Sequence, residues 1–341
     1  MSRPARGTAD GGPRPGAPQE AVPGPVAADA VTGLTRVGMV PTPGTGPDAA
    51  ARTGAPRGEN ADGIALTWLY APGDRPDVVA KALGSGADVV LVDLEDAVPP
   101  DRKDYARAAT AELLAERARG RPAVHVRVNA LDGPLVAADL AALAGLPGLG
   151  GLRLPKVGSA ADVARVARIL REAGDAPALY PLLESALGLE NAFAIASADP
   201  AVRGVALGEA DLRADLGLTG EEALAWPRVR TVVAARAAGL APPAQSVYAD
   251  VRDLAGLAAS CRAGRALGFL GRAAIHPRQL PVIERAYLPS AQEVAAARET
   301  VAAADASPGA LALPDGRFVD PAVVAGARRV LTLTARSRAH P

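Results

Sequence analysis

The sequence predicts an α/β protein built as a (β/α)8 TIM barrel, and three observations carry that prediction. From Ile64 onward, short apolar runs alternate with longer Ala-rich helical stretches, the texture of βα units around a parallel sheet. There are eight such runs, the number of strands that closes a barrel. No G-x-G-x-x-G follows the first of them, which counts against an open dinucleotide-binding sheet.

In chain order, residues 1–63 come first, rich in Pro, Gly, Ala and Thr with little apolar periodicity, and read as a disordered arm. Residues 64–288 form the expected barrel. Its strand candidates are ALTWLYAP, DVVLVD, AVHVRVN, GLRLPKV, ALYPLLE, VRGVALGEAD, AQSVYAD and GRAAIHP. Helical candidates between them include DVVAKALGSG, RKDYARAATAELLAERA, AADVARVARILREAG and EEALAWPRVRTVVAARAAG; Pro227 is expected to kink or divide the last. Residues 289–341 leave the barrel as a helix–hairpin–helix appendage. Ser290 with Glu293 predicts a capping box, Pro314-Asp315-Gly316 a turn, and Pro321 the first turn of a final helix.

The bulk composition narrows the function classes. The 37 Lys and Arg balance the 37 Asp and Glu, so no basic excess points to nucleic acid or an anionic membrane. No apolar stretch is long and charge-free enough to span a bilayer, and the first residues lack a secretory apolar region. The single cysteine, Cys261, forms no internal disulfide, and a reducing cytoplasm is the expected compartment. No zinc spacing, Walker A motif or nucleophile elbow is present.

Chemistry in a barrel sits at the C-terminal strand ends, and the polar residues cluster there: Asp93, Glu95 and Asp96, Arg127 and Asn129, Lys156, Glu184, Asp211 and His276. Glu184 and Asp211 each follow an apolar run. Two hard oxygen ligands suit Mg²⁺, which keeps several waters; equally, both could be loop acids capping the next helix. Arg127 has the fork to clamp a substrate carboxylate, or to pair with Asp93 or Asp96. Members of the acidic cluster are expected to orient Arg127, Lys156 or metal-bound water. His276 reads as structural, donating to a backbone carbonyl; His125 shares the strand face of Arg127 by alternation. Cys261 reads as a small buried residue.

Taken together, WLYAPGDRPDVVAKAL, VLVDLEDAV, VHVRVNALDG, LRLPKV, LLESALGLENAFAIA, LGEADLRADLG, QSVYADVRDLAGL and LGFLGRAAIHPRQL resemble the HpcH/HpaI aldolase–citrate lyase family, in family order and from Thr67 to the C-terminus. The likeness is greatest to the branch holding citrate lyase β subunits and malyl-CoA and citramalyl-CoA lyases. The resemblance implies a Mg²⁺-dependent carbon–carbon lyase, with Mn²⁺ an allowed substitute, acting between acetyl-CoA and a 2-oxo acid. It implies Glu184 and Asp211 as metal ligands, Arg127 against the oxo acid, and Asp93 with Glu95, Asp96 and Lys156 in support. Pro72, Gly73, Arg75 and Lys81 match positions associated with CoA. The appendage resembles a lid that closes a neighbouring subunit's site and brings Asp320 to it as catalytic acid–base. Locally, Asp320 is also a helix N-cap candidate. A lid of that kind implies a homotrimer or homohexamer. Leu66-Thr67, Ala210 and Ser185 depart from the family pattern. They leave open a malyl-CoA thioesterase, a non-catalytic acyl-CoA-binding relative or a lyase-complex subunit.

Overall fold

The structure, a computed structural model, describes residues 64–117, 120, 122–174, 176–306, 311–312 and 316–339. All lie in the second of two units into which the chain divides, Thr53–Pro341. The arm expected over residues 1–63, together with Pro314 and Asp315 of the expected turn, lies outside the described residues.

Seven parallel strands make one sheet: β1 (Thr67–Pro72), β2 (Val89–Asp93), β3 (Ala123–Arg127), β4 (Leu149–Leu154), β5 (Ala178–Leu183), β6 (Ala206–Leu207) and β7 (Arg272–Ala274). Their order is β6-β5-β4-β3-β2-β1-β7. All five residues of β2 are buried, as expected of a parallel strand covered on both faces. In β1 burial alternates: Thr67, Leu69 and Ala71 are buried, whereas Trp68 and Tyr70 line the central cleft. The expected eighth strand, AQSVYAD, makes only one ladder bridge, Gln245 to Arg272. Gln245 donates to Gly271 O at 3.0 Å and accepts from Ala273 N at 2.9 Å, while Ser246 Oγ donates to Leu207 O towards β6. Pro242 and Pro243 just before it have no N–H to extend that ladder.

Helices α1 (Pro76–Leu83), α2 (Lys103–Glu116), α3 (Val136–Leu143), α4 (Ala160–Glu172), α5 (Ala186–Glu190), α6 (Ala192–Ala196), α7 (Glu209–Leu216), α8 (Ala225–Ala237), α9 (Leu254–Ala266) and α10 (Leu280–Tyr287) connect the strands. Their apolar stripes bury Val79, Leu114, Leu140, Val163, Leu170 and Ile283 in one core with the sheet. Ser159 and Asp162 close a reciprocal capping box on α4. Pro227 neither kinks nor divides its helix: a 3-10 turn over Glu222–Leu224 leads into α8, and the proline sits in the first turn, where a missing N–H costs nothing.

The appendage is α11 (Ala291–Ala306), a short antiparallel pair β8 (Leu311–Ala312) and β9 (Phe318–Val319), and α12 (Pro321–Ala339). Ser290 and Glu293 cap α11 reciprocally, Ser290 N donating to Glu293 Oε2 at 2.7 Å. Near the end of α12, the Arg336 guanidinium reaches back to the start of the sheet. It pairs with Asp88 at 2.5 Å, donates to Ile64 O at 2.6 Å and meets Glu284 at 3.0 Å. No helix among the described residues is long and apolar enough to cross a membrane.

Candidate active site

A cleft of about 920 Å³ lies at the C-terminal strand ends, lined by Trp68, Tyr70, Asp93, Asp96, Arg127, Arg153, Glu184 and Asp211 among others. A smaller cavity of about 260 Å³ opens at the opposite ends, beside His125 and Arg203, and no carboxylate among the described residues lines it. The strand-end residues expected to carry chemistry therefore gather at the first.

Asp93 ends β2 and is buried. Its carboxylate accepts the backbone N–H groups of Glu95 at 2.9 Å and Ala97 at 3.1 Å, so the chain folds back around it. The remaining capacity of Asp93 receives the Arg127 fork, Nε at 2.7 Å and Nη2 at 2.5 Å. Arg127 Nη1 meets Glu95 Oε2 at 2.8 Å and Asp96 Oδ2 at 3.2 Å. Three carboxylates thus surround one guanidinium, which lies 5.4 Å from the Tyr70 ring centroid. The contact to Glu95 lacks hydrogen-bond geometry, leaving Oε2 as a buried acceptor with no bonded partner. Burial pushes the Glu95 carboxyl up to about 8, against the pull of Arg127 and with Asp96 and Glu184 adding to the rise.

Glu184 follows β5 and is also buried, with its carboxyl raised by burial. It accepts the Lys156 N–H at 2.6 Å. Lys156 is the one non-glycine residue of positive φ among the described residues, at 54°, and this left-handed turn aims its N–H at Glu184. The same lysine extends its ammonium to Asp211 Oδ1 and lies 3.6 Å from Glu184 Oε1. Burial lowers the Lys156 ammonium's affinity for its proton, but Asp211 and Glu184 outweigh it and the net shift is upward. Glu184 and Asp211 therefore share one cation. Gly208 gives Glu184 its room, since a Cβ there would lie 2.5 Å from Glu184 Oε2. Glu209, next to the site, is held away by Arg228 through contacts of 2.8 and 2.7 Å.

The cluster Asp93, Glu95, Asp96, Arg127, Lys156, Glu184 and Asp211 is brought together. Pro72, Gly73, Arg75, Lys81 and Asp320 are not among the residues lining the cleft. Gly73 N donates to Asp93 O at 2.8 Å, fixing the turn after β1, while Arg75 and Lys81 are exposed and pair with Asp77. Asp320 caps α12, accepting Val323 N at 2.8 Å. His276 does not donate to a carbonyl: its Nδ1 accepts Arg278 N at 3.1 Å and caps a 3-10 turn. His125 is buried against Tyr180 with ring centroids 4.6 Å apart; burial first, then Arg153, holds its imidazole well below the usual histidine range. Cys261 is buried beside Arg272.

Arg153, two positions before Pro155 in GLRLPKV, is not among the strand-end residues that the sequence pattern singles out. Its side chain is buried, its Nε has no hydrogen-bond partner, and its guanidinium lies 4.7 Å from the Tyr180 ring centroid. The available signal was strand alternation, which puts Arg153 on the same interior face as Gly151.

No group of three or more His, Cys, Asp or Glu side chains placed to hold a metal occurs among the described residues. The Glu184–Asp211 pair nevertheless fits Mg²⁺, which retains waters and takes one or two protein carboxylates, and those two oxygens already converge on an ammonium.

Comparison with known proteins gives the family of the chain. The chain is 33% identical to an L-malyl-CoA/beta-methylmalyl-CoA lyase of Cereibacter sphaeroides, covering 70% of this chain and 84% of the relative. It is 36% identical to a (3S)-malyl-CoA thioesterase of the same species, covering 77% and 92%. Among solved structures, protein CitE from Mycobacterium tuberculosis in complex with magnesium, acetoacetate and coenzyme A superposes with a TM-score of 0.69 at 35% identity, covering 80% of this chain and 99% of that one. Residues 66–277 match the family described as HpcH/HpaI aldolase/citrate lyase, a family of lyases and aldolases, and the chain belongs to it.

Proposed function

We propose that the protein is a Mg²⁺-dependent carbon–carbon lyase that forms or cleaves a 3-hydroxyacyl-CoA between acetyl-CoA and a 2-oxo acid. The observation that carries this reading is the convergence of Glu184 and Asp211 on one cation, at the cleft that also holds Arg127. Relatives named for malyl-CoA chemistry, and a structural neighbour solved with magnesium and coenzyme A, support it. In this reading the run through Gln245 is the eighth stave of a closed (β/α)8 barrel, hydrogen-bonded on one side to β7 and reaching β6 through Ser246.

Glu184 and Asp211 would hold Mg²⁺ in place of the Lys156 ammonium. Bound there, the ion supplies Lewis-acid polarisation of the 2-oxo carbonyl. Asp93, Glu95 and Asp96 fix Arg127 in the cleft wall, where its charge would act through space, without a direct hydrogen bond, on the oxygen that gains negative charge. Asp320, which is not among the residues lining its own chain's cleft, would act in the cleft of a second copy, in a trimer or hexamer. There its carboxylate takes a proton from the acetyl methyl group. The resulting enolate carbon attacks the 2-oxo carbonyl carbon, that oxygen takes a proton from water to end as the product hydroxyl, and Asp320 gives its acquired proton back to water. In cleavage the hydroxyl gives its proton to water, the carbon–carbon bond breaks, and Asp320, protonated from water beforehand, gives that proton to the acetyl carbon. With α11 and α12 closed over the cleft, water cannot quench the enolate.

The test combines purified full-length protein, Mg²⁺, acetyl-CoA and glyoxylate, pyruvate or oxaloacetate, with adduct formation followed by mass spectrometry. Glu184→Gln should abolish Mg²⁺ binding in calorimetry. Asp320→Ala should keep Mg²⁺ binding and lose roughly 10²–10⁴-fold in rate. Full activity in either variant refutes the assignment. The thioesterase relatives support a second reading, in which water then releases CoA from the adduct; stoichiometric free CoA from malyl-CoA would establish it.

A further inference from the structure

Two arginines stand side by side on the inner face of the sheet, Arg127 on β3 in register with Arg153 on β4. Their surroundings differ. All three polar ends of the Arg127 guanidinium are taken by Asp93, Glu95 and Asp96. Arg153 has no carboxylate in ion-pair reach among the described residues, and its buried Nε hydrogen has no acceptor. It has only aromatic neighbours for its charge, with the Tyr180 ring centroid 4.7 Å away. It is 6% exposed, yet it lines the cleft that holds Glu184 and Asp211.

A buried, unpaired cation beside a second cation is costly, and the cost is relieved when an anion enters. Arg127 has no free edge to offer that anion, and Arg272, which lines the same cleft with a buried Nε that also lacks an acceptor, is held through Nη1 by Gln245 and Ser260, so the guanidinium that no polar side chain holds is that of Arg153. Building on the metal-dependent reading above, we propose that Arg153 is a specificity-determining residue: it takes the second carboxylate of a dicarboxylic 2-oxo or 2-hydroxy acid whose first carboxylate lies at the Glu184–Asp211 end of the cleft. The guanidinium fork meets a carboxylate with two parallel hydrogen bonds, a pairing that a monocarboxylic acid of the same chelating chemistry cannot make. The pocket thus selects for charge at the far end of the acid and not only for its 2-oxo group.

The experiment is calorimetric titration of the full chain with L-malate and with L-lactate, in the presence of Mg²⁺. Both present a 2-hydroxy carboxylate and they differ by one carboxylate. The wild-type protein should bind malate about tenfold or more tightly than lactate. Arg153→Met should bring the two within about twofold while leaving lactate affinity unchanged, and Arg153→Lys should restore part of the gap. Arg153→Met should also raise the melting temperature of the ligand-free protein, because it removes an unpaired buried charge, and this shows that the variant folds. Equal binding of the two acids by wild type, equal weakening of both by Arg153→Met, or no binding of either acid overturns the proposal. Titration with Mg²⁺ alone separates the two readings. A malate preference that survives without Mg²⁺ binding overturns only the metal assignment, whereas Mg²⁺ binding without the preference overturns only the role of Arg153.

Discussion

Replacing Asp88 by Asn isolates the clamp between the last helix and the first strand. Asp88 Oδ2 accepts Leu66 N at 2.8 Å, Thr67 N at 3.0 Å and Thr67 Oγ1 at 3.0 Å, and both its oxygens receive Arg336 Nη2 at 2.5–2.6 Å. The two side chains are 6% and 7% exposed, so solvent screens the pair little. Asn keeps one acceptor but turns an N–H group toward a guanidinium and leaves Arg336 facing Glu284 alone on its charged side. Breaking one partner of a buried pair costs roughly 3–5 kcal/mol, on the order of 10 °C in melting temperature for a body of this size. Burial alone would raise the Asp88 carboxyl, but the hydrogen bonds from Arg336 and Leu66 reverse this and its pKa is lowered on folding. Its stabilisation is therefore complete above the unfolded carboxyl range, about 3.9, and is lost as pH falls through the lowered folded value. Urea denaturation of wild type and Asp88→Asn between neutral and acidic pH measures the gap. The gap should be steady near neutrality and close in acid. A neutral-pH loss below about 1 kcal/mol, the range of an exposed pair, or a gap that persists in acid would refute the clamp.

Two other perturbations probe the site and the turn beneath it. Lys156→Met removes the ammonium that lies between Glu184 and Asp211, so Mg²⁺ should bind roughly tenfold tighter in calorimetry; weaker binding would show that the lysine supports the metal instead of competing with it. In Gly73→Ala the new Cβ would meet Leu94 Cδ2 at 2.9 Å, Asp93 O at 3.0 Å and Thr110 Oγ1 at 3.1 Å, so unfolding free energy should fall by about 1–3 kcal/mol in chemical denaturation.

Much of this architecture is legible in the sequence because it is periodic. The fully buried β2 and the half-buried β1 announce themselves by apolar content and alternation, and the caps of α11 and α12 by Ser290, Glu293 and Asp320. The Gln245 run carries the same composition yet forms a single bridge, because ladder formation depends on neighbours and on donors that Pro242 and Pro243 lack. The site divides in the same way. That the acidic cluster, Arg127, Lys156, Glu184 and Asp211 gather follows from their shared position after strands. Which carboxylate meets which cation does not: Arg127 met Asp93, Glu95 and Asp96 together, and Lys156 reached across to Asp211 through a left-handed turn that no sequence pattern announces. The structural role of His276 is legible in the same way, but not the direction of its hydrogen bond, since the local turn decides which ring nitrogen bonds.

The position of β1 has a consequence for biosynthesis. It is the first strand of the sheet to leave the ribosome, and it lies between β2 and β7. One of its edges is met within some twenty residues of translation; the other waits for Arg272, and its final fastening waits for Arg336. Throughout that interval a nascent chain carries a bare hydrogen-bonding edge, the kind that recruits other chains. Truncations that remove β7 should therefore be felt first as aggregation during expression, whereas shorter ones that take only Arg336 keep the edge paired and loosen its fastening.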